Sequence, residues 1–337
     1  MTVDITLACT EYDWTRPLWD GAVEPEGTNL HVVDYHNPER FERMVRHGEF
    51  DACELSLGSY LSAVAADREY PFTAIPVFPY RKFRHSFIFR RTDDDFGLAD
   101  LDGTDVGLIH WQTTTGIWQR GTVAEHYDVD LASVTWHTAK PESDIVPVEI
   151  PDRFDVVRHD RPGRASAALG ELLAGGELDA VFAPSPIHRP LTGGDPDRRA
   201  ADGASFDHTK IERVLDDSRA VEEDYYRETG VFPLMHTVVV SDDVLDRYPW
   251  VANKLYEAFE ASLEQCMDRL SKPRWFPLAW ANQHVERQQA VMGENPWEYG
   301  PTDENLTALS KLQEYAVDQG IVPRSYDPEE LFVESTL

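Results

Sequence analysis

Lysine is scarce in this sequence, and so is positive charge as a whole. The 337 residues include six lysines and 25 arginines against 61 acidic residues, for a formal net charge of −30. A surface of that sign repels nucleic acid and anionic membranes, so we expect neither as a partner. Short acidic runs such as 93–95 and 222–224 indicate a solvated acidic coat suited to concentrated salt. Because cations are rare, clustered arginines and histidines are especially informative.

Cysteines and long apolar runs are also few. Cys9, Cys53 and Cys266 are an odd number without CxxC or CxxH spacing, which argues against a disulfide framework and a zinc site. An HExxH motif and clustered metal-ligand spacing are absent as well, so we expect no metal. No apolar run has the length of a membrane span, and Met1 leads straight into a strand pattern rather than an export signal. We expect a soluble, cytoplasmic protein with free thiols.

The order of strand-like and helix-like segments predicts two α/β lobes. With 42% hydrophobic residues, a chain of this length has enough apolar side chains for two cores. The strand patterns VDITLAC, TNLHVVDY and FDACEL alternate with helix patterns, which is typical of a largely parallel sheet. A second α/β unit begins near residues 98–101 and includes the strand patterns TDVGLIH and LDAVFAP.

The last third of the chain reads as helices without strands of their own. Such helices need an existing sheet to pack on, so we assign residues 1–96 and 236–337 to the first lobe and residues 97–235 to the second. The buried strand pattern GVFPLMHTVVV would return the chain to the first lobe. Two crossings, near residues 92–100 and 230–240, would then form a hinge.

Several stretches, in this order along the chain, are together similar to one known family. They are ACTEYDWTRPLWDG, GEFDACELSLGSYLS, YRKFRHSFIF, VGLIHWQTTTGIWQRG, GVFPLMHTVVV and NPWEYG. The sequence resembles the 4,5-dihydroxyphthalate decarboxylase family over nearly the whole chain. The resemblance implies a two-lobed, type II periplasmic-binding-protein-like α/β fold with two crossover segments, a central cleft and a small aromatic acid as ligand.

Two classes of function remain open on this basis. The leading hypothesis is a cofactor-independent decarboxylase of a hydroxylated aromatic dicarboxylate, which the missing export signal favours. The alternative is a small-anion substrate-binding protein of an ABC transporter, or a sensor, without catalytic activity, because those proteins share the fold. Another enzyme on the same scaffold, such as one of cofactor biosynthesis, and a homo-oligomeric state are also left open.

Decarboxylation of an aromatic ring sets the chemistry that the site must supply. A hydroxyl para to the carboxylate provides the electron sink, because its deprotonation lets a general acid protonate the ring carbon that bears the carboxylate. Carbon dioxide then leaves a dearomatised ketone, and no organic cofactor is required. The protein must supply a base, an acid that titrates near the working pH, and fixed partners for the carboxylates.

Residues at predicted strand ends are the candidates for holding the carboxylates. Thr113, Thr114 and Thr115 begin a helix directly after a strand, where free N–H groups and hydroxyls can bind an anion, although an ordinary helix cap would look the same. Arg16 follows the first strand and offers a bidentate guanidinium, unless it only pairs with Asp13 or Asp20. Glu54 and Ser56 follow the strand FDACEL, where Ser56 could also cap a helix and Glu54 could pair with an arginine.

Histidines are the candidates for proton transfer, because imidazole alone titrates near neutral pH unaided. His85 lies beside Arg81 and Arg84, which would favour neutral imidazole, and we include Arg84 among the substrate-binding residues. His236 lies on an apolar strand near the second crossing, where a core role is the alternative. Two further histidines, His110 and His188, are second-choice candidates for the same role. Trp111 is a candidate for stacking on an aromatic ligand.

Overall fold

The computed structural model describes residues 2–66, 70–159, 165–187 and 206–337. The strands are β1 (Val3–Ala8), β2 (Thr28–Val33), β3 (Ala52–Ser56), β4 (Phe72–Ile75), β5 (Ile88–Arg91), β6 (Asp105–Leu108), β7 (Thr135–Thr138), β8 (Asp155–Arg158), β9 (Ala180–Phe182), β10 (Ile211–Arg213) and β11 (His236–Ser241). The helices are α1 (Arg16–Trp19), α2 (Asn37–His47), α3 (Leu57–Ala65), α4 (Thr114–Tyr127), α5 (Ala165–Gly175), α6 (Ser218–Thr229), α7 (Asp242–Arg247), α8 (Val251–Leu270), α9 (Ala281–Met292), α10 (Asp303–Asp318) and α11 (Pro328–Leu331). Each of these helices is too short or too polar to span a bilayer.

The chain divides into two compact α/β units, which confirms the predicted fold class. The first unit comprises Met1–Lys82, Tyr225–Ser310 and Tyr326–Leu337, and the second comprises Phe83–Asp224 and Lys311–Ser325. The predicted boundary after residue 96 differs from this division, because β5 pairs with β9 and β10 of the second unit. The prediction that the whole helical third belongs to the first lobe also differs in part from the structure, because the end of α10 belongs to the second unit.

The first unit is built on a five-stranded sheet with the order β2-β1-β3-β11-β4. Strands β2, β1 and β3 are parallel, and β11 runs antiparallel between β3 and β4. Helix α2 packs beside β3, and its apolar residues Phe41, Met44 and Val45, which recur at helical spacing, are buried. All five residues of β3 are buried, so polar side chains on this strand must find partners inside the unit.

The second unit is built on a six-stranded sheet with the order β10-β5-β9-β6-β7-β8. Strands β9, β6, β7 and β8 are parallel, and β5 is antiparallel to β9. In each unit the antiparallel inserted strand, β5 or β11, is the first strand after the chain has crossed from the other unit. The three cysteines are buried free thiols, as the odd number and the spacing predict.

Candidate functional site

Glu54 and His236 meet through the pairing of β3 with β11. In this antiparallel register Ser56 lies opposite His236 and Glu54 lies opposite Val238, so Glu54 and His236 are diagonal neighbours on one face. The Glu54 Oε1 atom lies 2.5 Å from His236 Nδ1. This contact favours a proton on Nδ1, which donates to the carboxylate, and leaves Nε2 as the other ring nitrogen.

Glu54 is a fully buried carboxylate whose charge is compensated within the unit. The Arg40 Nη2 atom lies 2.9 Å from its Oε2 atom, and the Thr10 backbone N–H donates to the same oxygen at 2.9 Å. The Tyr12 hydroxyl donates to Oε1 at 2.8 Å. Burial alone would raise the pKa of Glu54, but Arg40, His236 and the Thr10 N–H together hold that pKa well below its usual range. Glu54 is therefore an ionised group that orients its neighbours.

Aromatic rings surround the His236 imidazole. The Tyr80 ring centroid lies 5.0 Å from it, and the Phe41 ring meets it edge-on at 5.2 Å. Tyr12 stacks between Tyr80 and Trp14, at centroid distances of 5.8 Å and 4.7 Å. Burial, followed by the Glu54 charge, raises the pKa of Tyr12 well above its ordinary value, so the phenol stays a donor. This apolar enclosure strengthens the electrostatic coupling of the Glu54–His236 pair.

The threonine turn in the second unit caps helix α4. The Thr113 Oγ1 atom accepts the Gly116 N–H at 3.3 Å and donates to the His110 carbonyl oxygen at 3.1 Å. Thr114 and Thr115 are buried in the first turn. Just before the helix, the backbone N–H groups of Trp111 and Gln112 donate to the Glu142 carboxylate, at 2.5 Å and 3.2 Å. The turn does bind a carboxylate at these two N–H groups, but the carboxylate belongs to the protein.

Trp111 is a core residue rather than a ligand platform. Its side chain is fully buried, and its Nε1 donates to the Gln319 carbonyl oxygen at 3.0 Å. The Arg120 guanidinium lies 3.9 Å from the ring centroid. Because the protein itself covers this ring, the expectation that Trp111 stacks on a ligand is corrected.

His85 and Arg84 are buried residues of the second unit, at the turn before β5. The Arg84 Nη1 atom donates to the Pro184 carbonyl oxygen at 3.0 Å. Burial, helped by His126, lowers the pKa of His85 to about 4, so its imidazole is neutral at pH 7 as expected. The cause is desolvation rather than the neighbouring arginines.

Arg16 belongs to the first unit and the second-choice histidine His110 to the second. Arg16 is half exposed, lies 3.3 Å from Glu11, and lines a surface pocket with Asp13 and Glu264. His110 is buried in the second unit, and desolvation lowers its pKa to about 4. His188 lies outside the described residues. Within the first unit, the structure brings together Glu54, Ser56 and His236 through the pairing of β3 with β11.

The partners of Glu54 are the residues that the sequence prediction missed. Arg40 is fully buried, and it also donates from Nε to the Glu54 carbonyl oxygen at 3.1 Å. A signal was present, because Arg40 lies on the same helical face as Phe41 and Met44 and thus at a core position. Tyr12 lies within a stretch that carried the family resemblance. Across the described residues, no group of three His, Cys, Asp or Glu side chains could hold a metal ion.

Solved structures with this fold define the class of protein. The periplasmic sulfonate-binding protein SsuA from Methylobacillus flagellatus aligns with a TM-score of 0.57 and 13% identity, covering 98% of this chain and 91% of that chain. The aliphatic sulphonate binding protein SsuA from Escherichia coli has a TM-score of 0.54 and 10% identity, with 98% and 91% coverage. The desulfurization enzyme DSZB has a TM-score of 0.51 and 12% identity, with 99% and 98% coverage. The chain has the type II periplasmic-binding-protein fold, which both binding proteins and an enzyme use.

Curated relatives identify the family within this class. The chain is 29% identical over 342 residues to 4,5-dihydroxyphthalate decarboxylase of Comamonas testosteroni, covering 99% of this chain and 98% of the relative. It is 32% identical over 232 residues to 4,5-dihydroxyphthalate decarboxylase of Pseudomonas putida, covering 67% and 82%. No family model matches the chain. The chain belongs to the 4,5-dihydroxyphthalate decarboxylase family.

Proposed function

We propose that this protein is a decarboxylase of a hydroxylated aromatic dicarboxylate, with 4,5-dihydroxyphthalate or a near relative as substrate, and that it uses no cofactor. The observation that carries the proposal is the buried Glu54–His236 pair, with 2.5 Å between Oε1 and Nδ1. Two relatives with this activity support the substrate class. An imidazole oriented by an ionised carboxylate is suited to proton transfer, which simple capture of an anion does not require.

In the proposed reaction, proton transfer from His236 to the ring makes the loss of carbon dioxide possible. Loss to solvent of the proton of the hydroxyl para to the departing carboxylate places negative charge on the ring carbon that bears that carboxylate. The His236 imidazolium then donates the Nε2 proton to that carbon, and the Glu54 carboxylate at 2.5 Å stabilises the charged form of the donor. The ring becomes a dearomatised ketone. When the bond to carbon dioxide breaks, its electron pair returns to the ring and restores the phenolate.

Arg40 and Tyr12 support this role without taking part in the proton transfer. Arg40 compensates the Glu54 charge at 2.9 Å, so that the carboxylate stays ionised in a buried setting. The Tyr12 hydroxyl holds Oε1, the same oxygen that contacts His236. Both contacts restrict rotation of the carboxylate, and the imidazole is thereby kept in one orientation.

The test is a product assay with the purified protein. Incubation with 4,5-dihydroxyphthalate should release one equivalent of carbon dioxide and leave 3,4-dihydroxybenzoate, measured by gas release and by chromatography. Phthalate, which lacks the para hydroxyl, should release none under the same conditions. A protein whose melting temperature rises with the dihydroxy diacid, but which releases no carbon dioxide from it, would be an anion-binding protein instead.

A further inference from the structure

Arg81 is a buried cation of the first unit that forms no ion pair within the described part of the chain. The residue is 3% exposed, and its Nη2 atom donates to the Glu298 carbonyl oxygen at 2.6 Å. The guanidinium lies 5.6 Å from the Phe78 ring centroid. Its Nε atom is buried without a hydrogen-bond partner, and among the described residues no carboxylate lies within ion-pair distance of Arg81. A buried guanidinium in this state is costly unless an anion joins it.

Arg40 shows how the same unit satisfies a buried arginine. Its Nη2 atom pairs with the Glu54 carboxylate at 2.9 Å, and its Nε and Nη1 atoms donate to the Glu54 carbonyl oxygen and to Thr10 Oγ1. Among the described residues, the Arg81 side chain donates one hydrogen bond, to the neutral Glu298 carbonyl oxygen. Burial lowers the pKa of Arg81 to about 10, which still leaves it charged at neutral pH. Within the described residues of the first unit, the buried Arg40 is therefore ion-paired and the buried Arg81 is not.

The position of Arg81 connects it with the Glu54–His236 pair. The Met235 N–H donates to the Tyr80 carbonyl oxygen at 2.9 Å, and Arg81 forms a β-bridge with Leu234. The chain segment that carries Arg81 therefore runs alongside the segment that leads into His236. The adjacent ring of Tyr80 lies 5.0 Å from the imidazole.

Tyr299 provides a second unsatisfied donor in the same region. Its hydroxyl is buried and has no hydrogen-bond partner within the described part of the chain. Burial raises the pKa of Tyr299, and the charges of Arg81 and Glu54 both act on it, so the phenol is within electrostatic range of both groups. At neutral pH it is a neutral hydroxyl that can donate to an anion.

We propose that Arg81, assisted by the Tyr299 hydroxyl, binds a carboxylate of an aromatic acid substrate. The identity of that substrate class rests on the proposed function. Guanidinium N–H groups match the two oxygens of a carboxylate, and a phenol adds a third donor. The carboxylate held in this way is the one that stays on the ring, because an ion pair stabilises the negative charge that a departing carboxylate must lose.

Binding of two probes separates this role from a general effect on the site. Phthalate carries the carboxylates without the hydroxyls, and catechol carries the hydroxyls without the carboxylates. By calorimetric titration, Arg81→Gln should bind phthalate about a hundredfold more weakly than the wild type, and Arg81→Lys about tenfold more weakly. Catechol affinity should stay within about threefold in both variants. Arg247→Gln, at an exposed arginine of α7, is the matched control and should bind both probes normally.

A second variant keeps the proposal testable if loss of Arg81 unfolds the unit. Tyr299→Phe removes only a hydroxyl, and it should weaken phthalate binding about fivefold while leaving catechol binding unchanged. Normal phthalate affinity in folded Arg81→Gln, or in Tyr299→Phe when Arg81→Gln does not fold, would overturn the proposal. So would a wild-type protein that does not bind phthalate.

The proposed function can fail separately from this assignment. A wild-type protein that binds phthalate through Arg81, yet releases no carbon dioxide from 4,5-dihydroxyphthalate, would refute the reaction and leave the carboxylate site standing. A protein that decarboxylates the diacid, while Arg81→Gln binds phthalate normally, would refute the carboxylate site alone.

Discussion

Glu54 contacts different neighbours with its two carboxylate oxygens. Its Oε2 atom lies 2.9 Å from Arg40, which compensates its charge, and its Oε1 atom lies 2.5 Å from His236, the proposed proton donor. Removing the charge of Glu54 takes away the buried partner of the Arg40 guanidinium and leaves it the longer contact with exposed Asp34, at 3.9 Å. Removing His236 leaves the Glu54–Arg40 pair intact. The two substitutions should therefore separate folding from turnover.

Glu54→Gln should lower the free energy of unfolding by about 3 kcal/mol or more, because a buried charge loses its partner. The measurement is urea denaturation followed by circular dichroism, at constant salt. Glu49→Gln is the control, because this glutamate forms a partly exposed pair with Arg43 and should change stability by less than about 0.5 kcal/mol. A loss below about 1 kcal/mol in Glu54→Gln would show that Arg40 does not depend on this carboxylate.

Position relative to the strands made single residues candidates. Glu54 and Ser56 follow a strand pattern and His236 lies on an apolar strand near the second crossing, and the structure places the three on the paired strands β3 and β11. Arg40 and Arg81 were not: the buried helical face was a signal for Arg40, whereas the burial of Arg81 depends on packing partners far along the chain. Arg40 lies on helix α2, and Arg81 has its hydrogen bond 217 residues away, to Glu298.

At the scale of elements, sequence patterns located strands better than they located their partners. The pattern GVFPLMHTVVV predicts one strand, but β11 begins only at His236. Pro233 lacks an N–H group and cannot take part fully in a sheet ladder, which delays the start. The pattern HSFIFR likewise yields β5, yet nothing local to it shows that it joins the sheet of the second unit. The chain enters the second unit at Phe83, before β5, and thus earlier than the predicted crossing near residues 92–100.

Packing between α4 and α10 gives a test at the same scale. A Cβ atom added at Gly121 of α4 would lie 2.1 Å from the Tyr315 ring, so Gly121→Ala should destabilise the protein by about 1–3 kcal/mol. At Gly175, at the end of α5, the nearest atom would be a Glu177 carboxylate oxygen at 3.9 Å. Gly175→Ala should therefore be neutral or slightly stabilising. Equal thermal melting of the two variants would contradict the contact between Gly121 and Tyr315.

At the scale of the whole molecule, the net charge of −30 leads to a prediction about salt. Excess carboxylates repel one another when few ions screen them, and the compact state suffers most from this repulsion. We expect the melting temperature to rise by about 10 °C or more between dilute buffer and molar potassium chloride, as screening shortens the range of repulsion. An unchanged melting temperature would contradict a salt-adapted surface. Neutral sucrose at matched osmolality is the control.

The turnover of His236→Asn tests the central claim most directly. Carbon dioxide release from 4,5-dihydroxyphthalate and affinity for phthalate are measured on the same preparation of protein. Asparagine keeps a hydrogen-bonding group but cannot transfer a proton, so turnover should fall by about a hundredfold or more while phthalate affinity stays within about threefold. His47→Asn, at an exposed histidine of α2, should match the wild type in both measurements. Normal turnover in His236→Asn would contradict proton transfer by the Glu54–His236 pair.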